Sequence, residues 1–186
     1  MGLDMYIYGI STPELIDCVY EAEYLYNNGY IYRFADELDS RHAELLPFAA
    51  KAQVRRKDVD LERIIADYGL PAKSCIGCFS RDGITVGGIT ATGSYARATV
   101  SYEDIKTKYA TESVEDCYVW RRRKLAQWRK NYDIQDFWYQ TLDRDVENGG
   151  YCKLDEGNIN AYYDAEISQQ YLAKNDDEVL FYHESY

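Results

Sequence analysis

The stretch 118-YVWRRRKLAQWRKNYDIQDFWYQ-140 decides how the chain is read. It holds all three tryptophans and six basic residues, in a protein of net charge −11. Its start, with Cys117 before it, has the look of a short strand. From about Lys124 to Leu142 the spacing predicts one long helix, because Leu125, Trp128, Tyr132 and Gln135 share a face that Ile134, Trp138 and Leu142 broaden. On this reading Trp128 and Trp138 face a core. Arg121, Arg122, Arg123 and Lys124 form a solvated edge near Glu115 and Asp116, as exposed charge runs usually do. Asp4 sits in an apolar stretch, where an unpaired carboxylate is costly, so Arg129 or Lys130 is expected to pair with it structurally.

Outward from that stretch, MGLDMYIYGI reads as a strand with Leu3, Met5, Ile7 and Gly9 opposite Asp4, Tyr6, Tyr8 and Ile10. STPE signals a helix start, and Leu15, Val19, Ala22 and Tyr26 give that helix a face that ends at Asn27-Asn28-Gly29. A strand follows at 30–34. ADELDSRHAEL fits a helix or an exposed loop, and PFAAKAQVRR a strand. DVDLERIIADYGLP carries an aspartate cap, an apolar face and a Gly-x-Pro stop. SCIGCF, GITVGGI and ARATVS are short strands separated by Arg81-Asp82-Gly83 and Thr92-Gly93-Ser94. SYEDIKTKYA is a short helix, YCKL a strand, DEGNINAYYDAEISQQYL a capped helix and VLFYHESY a last strand. The expectation is an α+β fold in a single domain, 1–186, with a mostly antiparallel sheet packed against a long Trp-containing helix and shorter helices.

Charge is uneven. Residues 1–46 carry −7, residues 47–154 carry +3 and residues 155–186 carry −7. If the two ends meet, they make an acidic face that repels nucleic acid and attracts basic partners. Tyrosine, at 20 of 186 residues, supplies amphipathic contact area suited to protein interfaces. No run of eighteen apolar residues is present, so no membrane helix is expected. The start has no basic region and carries Asp4, which reads against a signal peptide and for the cytoplasm.

Catalytic motifs are absent from the sequence. There is no Gly-x-Ser-x-Gly, His-Glu-x-x-His or P-loop, and His42 and His183 are the only histidines. The chain is therefore expected not to be an enzyme. Five scattered cysteines read as reduced thiols. Cys75-Ile-Gly-Cys78 is half of a zinc set if the chain turns at Gly77, with Cys117, Cys152, His42, His183 or an aspartate completing it. On a straight strand the two thiols would face opposite ways. The cofactor expectation is none, or Zn.

MGLDMYIYG, CYVW…LAQWRKNYDIQDFWY, VENGGYCKL and LFYHESY, together spanning nearly the whole chain, resemble a family of uncharacterised phage and prophage proteins. This chain departs from the family pattern at Asn148-Gly149-Gly150-Tyr151, where Asn-Cys-Gly-Tyr is frequent, and at Ser185, where Trp is frequent. The resemblance implies a mobile-element origin and a bacterial host cytoplasm during infection or lysogeny. Small acidic phage proteins include inhibitors of host defence, and some anti-CRISPR proteins are similar in size and charge. The leading expectation is a non-enzymatic inhibitor that blocks nucleic-acid loading on a host nuclease of the Cas9 type. Asp176, Asp177, Glu178 and Glu184 are its expected contact residues, with Arg121, Arg122 and Arg123 as further partner-facing candidates. The alternatives are a nucleic-acid-binding accessory protein built on 121–124, or a zinc-containing protein centred on Cys75 and Cys78.

Overall fold

The computed structural model describes residues 2–14, 22–55, 59–110, 114–167 and 170–186. Among them are nine strands: β1 (Asp4–Ser11), β2 (Tyr30–Phe34), β3 (Ala50–Arg55), β4 (Cys75–Ser80), β5 (Gly83–Ile89), β6 (Tyr95–Val100), β7 (Val114–Arg129), β8 (Tyr151–Lys153) and β9 (Val179–Ser185). The helices are α1 (Ala22–Asn27), α2 (Leu61–Tyr68), α3 (Tyr102–Asp104), α4 (Tyr132–Leu142) and α5 (Glu156–Asp164), with α3 continuing as a π-helical turn over Ile105–Tyr109. The fold is α+β, built on antiparallel sheets packed with helices. By their contacts, residues 1–186 divide into two compact units, 1–14 with 29–50 and 118–186, and 15–28 with 51–117. The helix predicted to start at STPE lies largely outside the described residues.

The first unit is organised around β1. Strand order is β2-β7-β1-β9-β8. Residues opposed in an antiparallel ladder point to the same face. Met5 opposes Trp128 and Glu184, and Ile7 opposes Ala126 and Tyr182. That face is covered by Ile134 and Trp138 of α4 and Tyr162 of α5. On the other face Tyr8, Ile10, Tyr151 and Phe181 pack with Ile31, Leu45 and Trp120. There the segment 35–48 runs in three short 3₁₀ turns, and the Trp120 indole donates to the Leu45 carbonyl at 2.7 Å. The alternation predicted for MGLDMYIYGI is thus present, with both faces covered.

The predicted helix from Lys124 to Leu142 is corrected in its first third. Residues through Arg129 belong to β7, which pairs with β1 along all of Asp4–Ser11. Lysine, leucine, alanine and glutamine are good helix formers, but propensity is a weak prior beside a full ladder of cross-strand bonds. A bulge at Leu125 keeps the ladder in step: Ile7 opposes Ala126 and Tyr8 opposes Lys124. The chain then turns through Lys130, whose φ of 49° is left-handed, and α4 starts only at Tyr132, capped by Asn131, whose side chain accepts the Ile134 N–H at 3.2 Å. Tyr132, placed on the buried face by the longer helix, is 65% exposed. The C-terminal helix is also shorter than predicted, ending at Asp164.

In the second unit β4-β5-β6 is a meander whose Ile84, Val86 and Val100 pack on Ile64 of α2 and on Tyr102, Ile105 and Tyr109. Asp60 caps α2 by accepting the Arg63 N–H, and Gly69 ends it in the left-handed region, as the sequence predicts. The β4–β5 hairpin turns at Gly83, where φ is 145° and a Cβ would stand 2.0 Å from the Val100 carbonyl oxygen, so no other residue fits.

Trp138 is fully buried, stacked on Tyr162 at 5.5 Å and Tyr182 at 5.4 Å. Trp138→Ala is expected to cost about 3–5 kcal/mol. Urea unfolding of the variant and parent would measure it; a loss below about 1 kcal/mol would contradict the packing described.

Candidate functional site

Most of the first unit's acids lie in one part of the chain. Residues 132–177 hold eleven aspartates and glutamates against three bases, and all eleven are exposed. They sit on α4, α5 and the loops that follow them. Three exposed tyrosines lie among them: Tyr132, Tyr163 (37%) and Tyr171 (81%). A cavity of about 270 Å³, lined by Trp128, Asn131, Asp133, Ile134, Ile167 and Gln170, opens at the start of α4.

Of the four predicted acidic contact residues, Asp176 and Asp177 are exposed. Glu178 and Glu184 are corrected: at 6% and 0% exposure neither can meet a partner. Glu178 takes a two-pronged grip from Arg123, Nε at 2.9 Å and Nη2 at 2.7 Å, and accepts the Asn175 N–H at 2.8 Å. The Arg123 hydrogen bonds outweigh burial and hold this carboxyl below its ordinary value. The pair crosses β1 at Gly9, where a Cβ would lie 2.6 Å from a Glu178 oxygen.

Glu184 belongs to the face of β9 that meets α4. Its carboxylate accepts from Tyr182 at 2.6 Å, Tyr139 at 2.9 Å and Gln135 at 3.1 Å. Each of those partners is an uncharged donor. Burial, and then the carboxylate itself, push both tyrosine hydroxyls far above their ordinary values, so they remain protonated donors. The arrangement fixes an acid by three hydrogen bonds and ties β9 to α4. Sequence reasoning missed it, although a period of two along Leu180, Tyr182 and Glu184 places the acid on the apolar face.

The basic residues of β7 go different ways. Arg123 is committed to Glu178. The Arg122 guanidinium lies 4.9 Å from the Tyr8 ring centroid and donates to the Tyr151 hydroxyl at 3.2 Å. Arg121 and Lys124 are exposed. Arg129 Nε stands 3.3 Å from Asp4, directly across the strand pair, but its side chain is 74% exposed. Such a pair contributes at most about 1 kcal/mol. The Lys130 amide donates to the Leu3 carbonyl at 2.8 Å, and its side chain is exposed.

His183 lies beneath the aromatic residues of β1 and β8. It stacks on Tyr151 at 4.2 Å, neighbours Tyr6 and Tyr8, and places Nδ1 2.9 Å from the Gly150 carbonyl. Burial lowers its pKa to about 4. His42 is 6% exposed, with Nδ1 3.0 Å from an Asp39 oxygen. In the second unit Cys75 and Cys78 are exposed free thiols on β4, and among the described residues no group of three or more metal-ligating side chains forms. Cys117 and Cys152 are buried, and Cys18 lies outside the described residues.

No protein-family model matches this chain, and no curated protein or solved structure is significantly similar to it. No described helix is long and apolar enough to cross a membrane.

Replacing Glu184 by Gln puts an amide N–H₂ among groups that already donate. The expected loss is about 1–3 kcal/mol, the cost of unmatched buried polar groups, readable as a lower urea midpoint; an unchanged midpoint would contradict the three bonds to Glu184. His183 titrates lower in the folded chain than in the unfolded one. Its contribution is therefore complete above the unfolded value of about 6.5 and declines as pH falls toward about 4, by on the order of 3 kcal/mol. Melting curves across that window should slope downward with acid, and His183→Asn should flatten the slope; equal slopes would count against the buried neutral ring.

Proposed function

We propose that the protein is a non-enzymatic binding module that occupies a basic nucleic-acid channel on a partner and blocks loading of nucleic acid. The observation that carries this reading is the set of eleven exposed acids and three exposed tyrosines within 132–177. Carboxylates spread over a surface present the charge that such a channel binds, and tyrosines add contact area at low entropic cost. The bases that could reverse this charge are few there, and on β7 Arg123 is already neutralised by Glu178. The cavity beside Trp128 and Asp133 offers an aromatic wall and a carboxylate, which suit the head of a lysine or arginine from the partner.

The partner class that fits is a host defence nuclease of the Cas9 type, which holds its nucleic acids in a positively charged channel. The acids of α4, α5 and the loops, including Asp133, Asp136, Asp164, Glu166, Asp176 and Asp177, replace the two buried glutamates as contact residues. Electrostatic steering of this kind weakens with ionic strength.

The test is inhibition of DNA cleavage by a purified Cas9-type effector, with the protein added before or after guide and target. Inhibition that is strongest on pre-incubation, and that falls at least tenfold in a Asp133→Lys, Glu166→Lys, Asp177→Lys variant of unchanged melting temperature, is the expected result. Full cleavage in the presence of excess protein, together with no retention of such an effector in pull-downs, would sink the reading.

A further inference from the structure

The β4–β5 register answers the question that Cys75-Ile-Gly-Cys78 poses. Cys75 opposes Gly87, Ile76 opposes Val86, and Cys78 opposes Thr85, so the ladder slips by one residue at Gly77. Thr85 and Gly87 are two apart on β5 and share a face. Their opposed cysteines therefore share it too. On an unbroken strand Cys75 and Cys78 would point to opposite faces; the bulge turns them to the same one. That face is the outer one, since Ile84 and Val86 fill the core on the other side, and both thiols are exposed.

The spacing selects the chemistry. Two positions apart on β5 is about 6.7 Å, and side chains on one face of a pleat stand nearly parallel. A disulfide needs Cβ atoms about 3.5–4.5 Å apart, so a bridge between these two is strained. A tetrahedral zinc asks less: two Zn–S bonds of about 2.3 Å span roughly 3.8 Å between sulfurs, which the thiols reach by leaning together. Two ligands are half a site. No third His, Cys, Asp or Glu joins them among the described residues.

The missing half has a natural source. β4 is an edge strand of its sheet and both of its thiols are exposed, so another chain can reach them. The same face carries Ile89, 63% exposed, and Tyr95, 58% exposed, which oppose each other on β5 and β6. The second unit, 15–28 with 51–117, holds thirteen acids and ten bases, so two copies of it approach against a net charge of −3 each rather than the −11 of the whole chain. A two-fold axis through a metal would place the same pair opposite itself.

We infer that Cys75 and Cys78 from two copies of this chain bind one Zn²⁺ as a four-thiolate centre that joins them into a dimer. Four S–H groups release four protons to solvent as four Zn–S bonds form, and zinc gives up its bound waters without any change of oxidation state. This centre lies on β4 and involves none of the residues of the acidic surface, so it stands or falls independently of the inhibitor reading.

The experiment uses tag-free, reduced protein, with Zn²⁺ or Cd²⁺ added and excess removed. Expected are half a metal ion per chain, a doubled mass by light scattering that EDTA reverses, and with Cd²⁺ a thiolate charge-transfer absorption equal to four sulfurs per metal. Cys75→Ser and Cys78→Ser should each abolish metal retention and dimer, while Cys152→Ser, if folded, should keep both. A monomer without stoichiometric metal, one metal per monomeric chain, or full retention in Cys75→Ser would each overturn the inference.

Discussion

The first unit depends on a single strand that has no free side. β1 is paired along its length with β7 on one edge and β9 on the other, and residues from both of its faces are buried. Met5, Ile7 and Ile10 are fully inaccessible. Each position in β1 therefore answers to two neighbours in the sheet and one layer above or below. Gly9 shows how tight this is: its missing side chain is the space through which Arg123 reaches Glu178. The polar groups caught in this packing are matched rather than excluded. Glu178 has a guanidinium and a backbone amide, and Glu184 has three uncharged donors. Buried charge is tolerated at this density only with such partners.

Much of this was legible from local pattern. The two-residue period of MGLDMYIYGI, the Asp-Gly turn before β5, and the capping residues Asp60, Ser101 and Asp155 each act within a few residues, and each stands where the pattern places it. What was not legible came from distance. Lys124–Arg129 has helix-forming residues and becomes strand because β1, more than a hundred residues away, supplies a ladder for it. Asn131, a sound cap, is the local sign of the true helix start. Glu178 and Glu184 read as surface acids because nothing nearby in sequence names Arg123 or Tyr139 as their partners. The pairing of Asp4 with Arg129 was within reach because both belong to stretches whose strand or helix character constrained them, yet its exposure makes it a minor contributor.

The same distinction sorts the charges by role. Some acids face bases: Glu44 with Arg144 and Glu178 with Arg123 join segments distant in sequence, and Asp39 with Arg41 lies within a single turn. The arginine beside Asp39 holds that carboxyl below the usual carboxylate range. By contrast α4, α5 and their loops present acids to solvent with only Arg144, Lys153 and Lys174 among them. Sequence-wide net charge merges these two populations. The second is presented to solvent with few bases beside it, and its tyrosines lie in the same stretch of chain.

The pairing of β1 with β9 also sets a schedule. The two strands are separated by about 170 residues, and β9 brings Leu180, Phe181 and Tyr182 into the core. During synthesis at roughly 5–20 residues per second, β1 waits on the order of ten to thirty seconds before its second edge can be filled. For that interval an apolar strand with an open edge has emerged from the ribosome, and only the arrival of β7 covers part of it. Until β9 arrives, that edge is the place where pairing with a neighbouring nascent chain competes with folding.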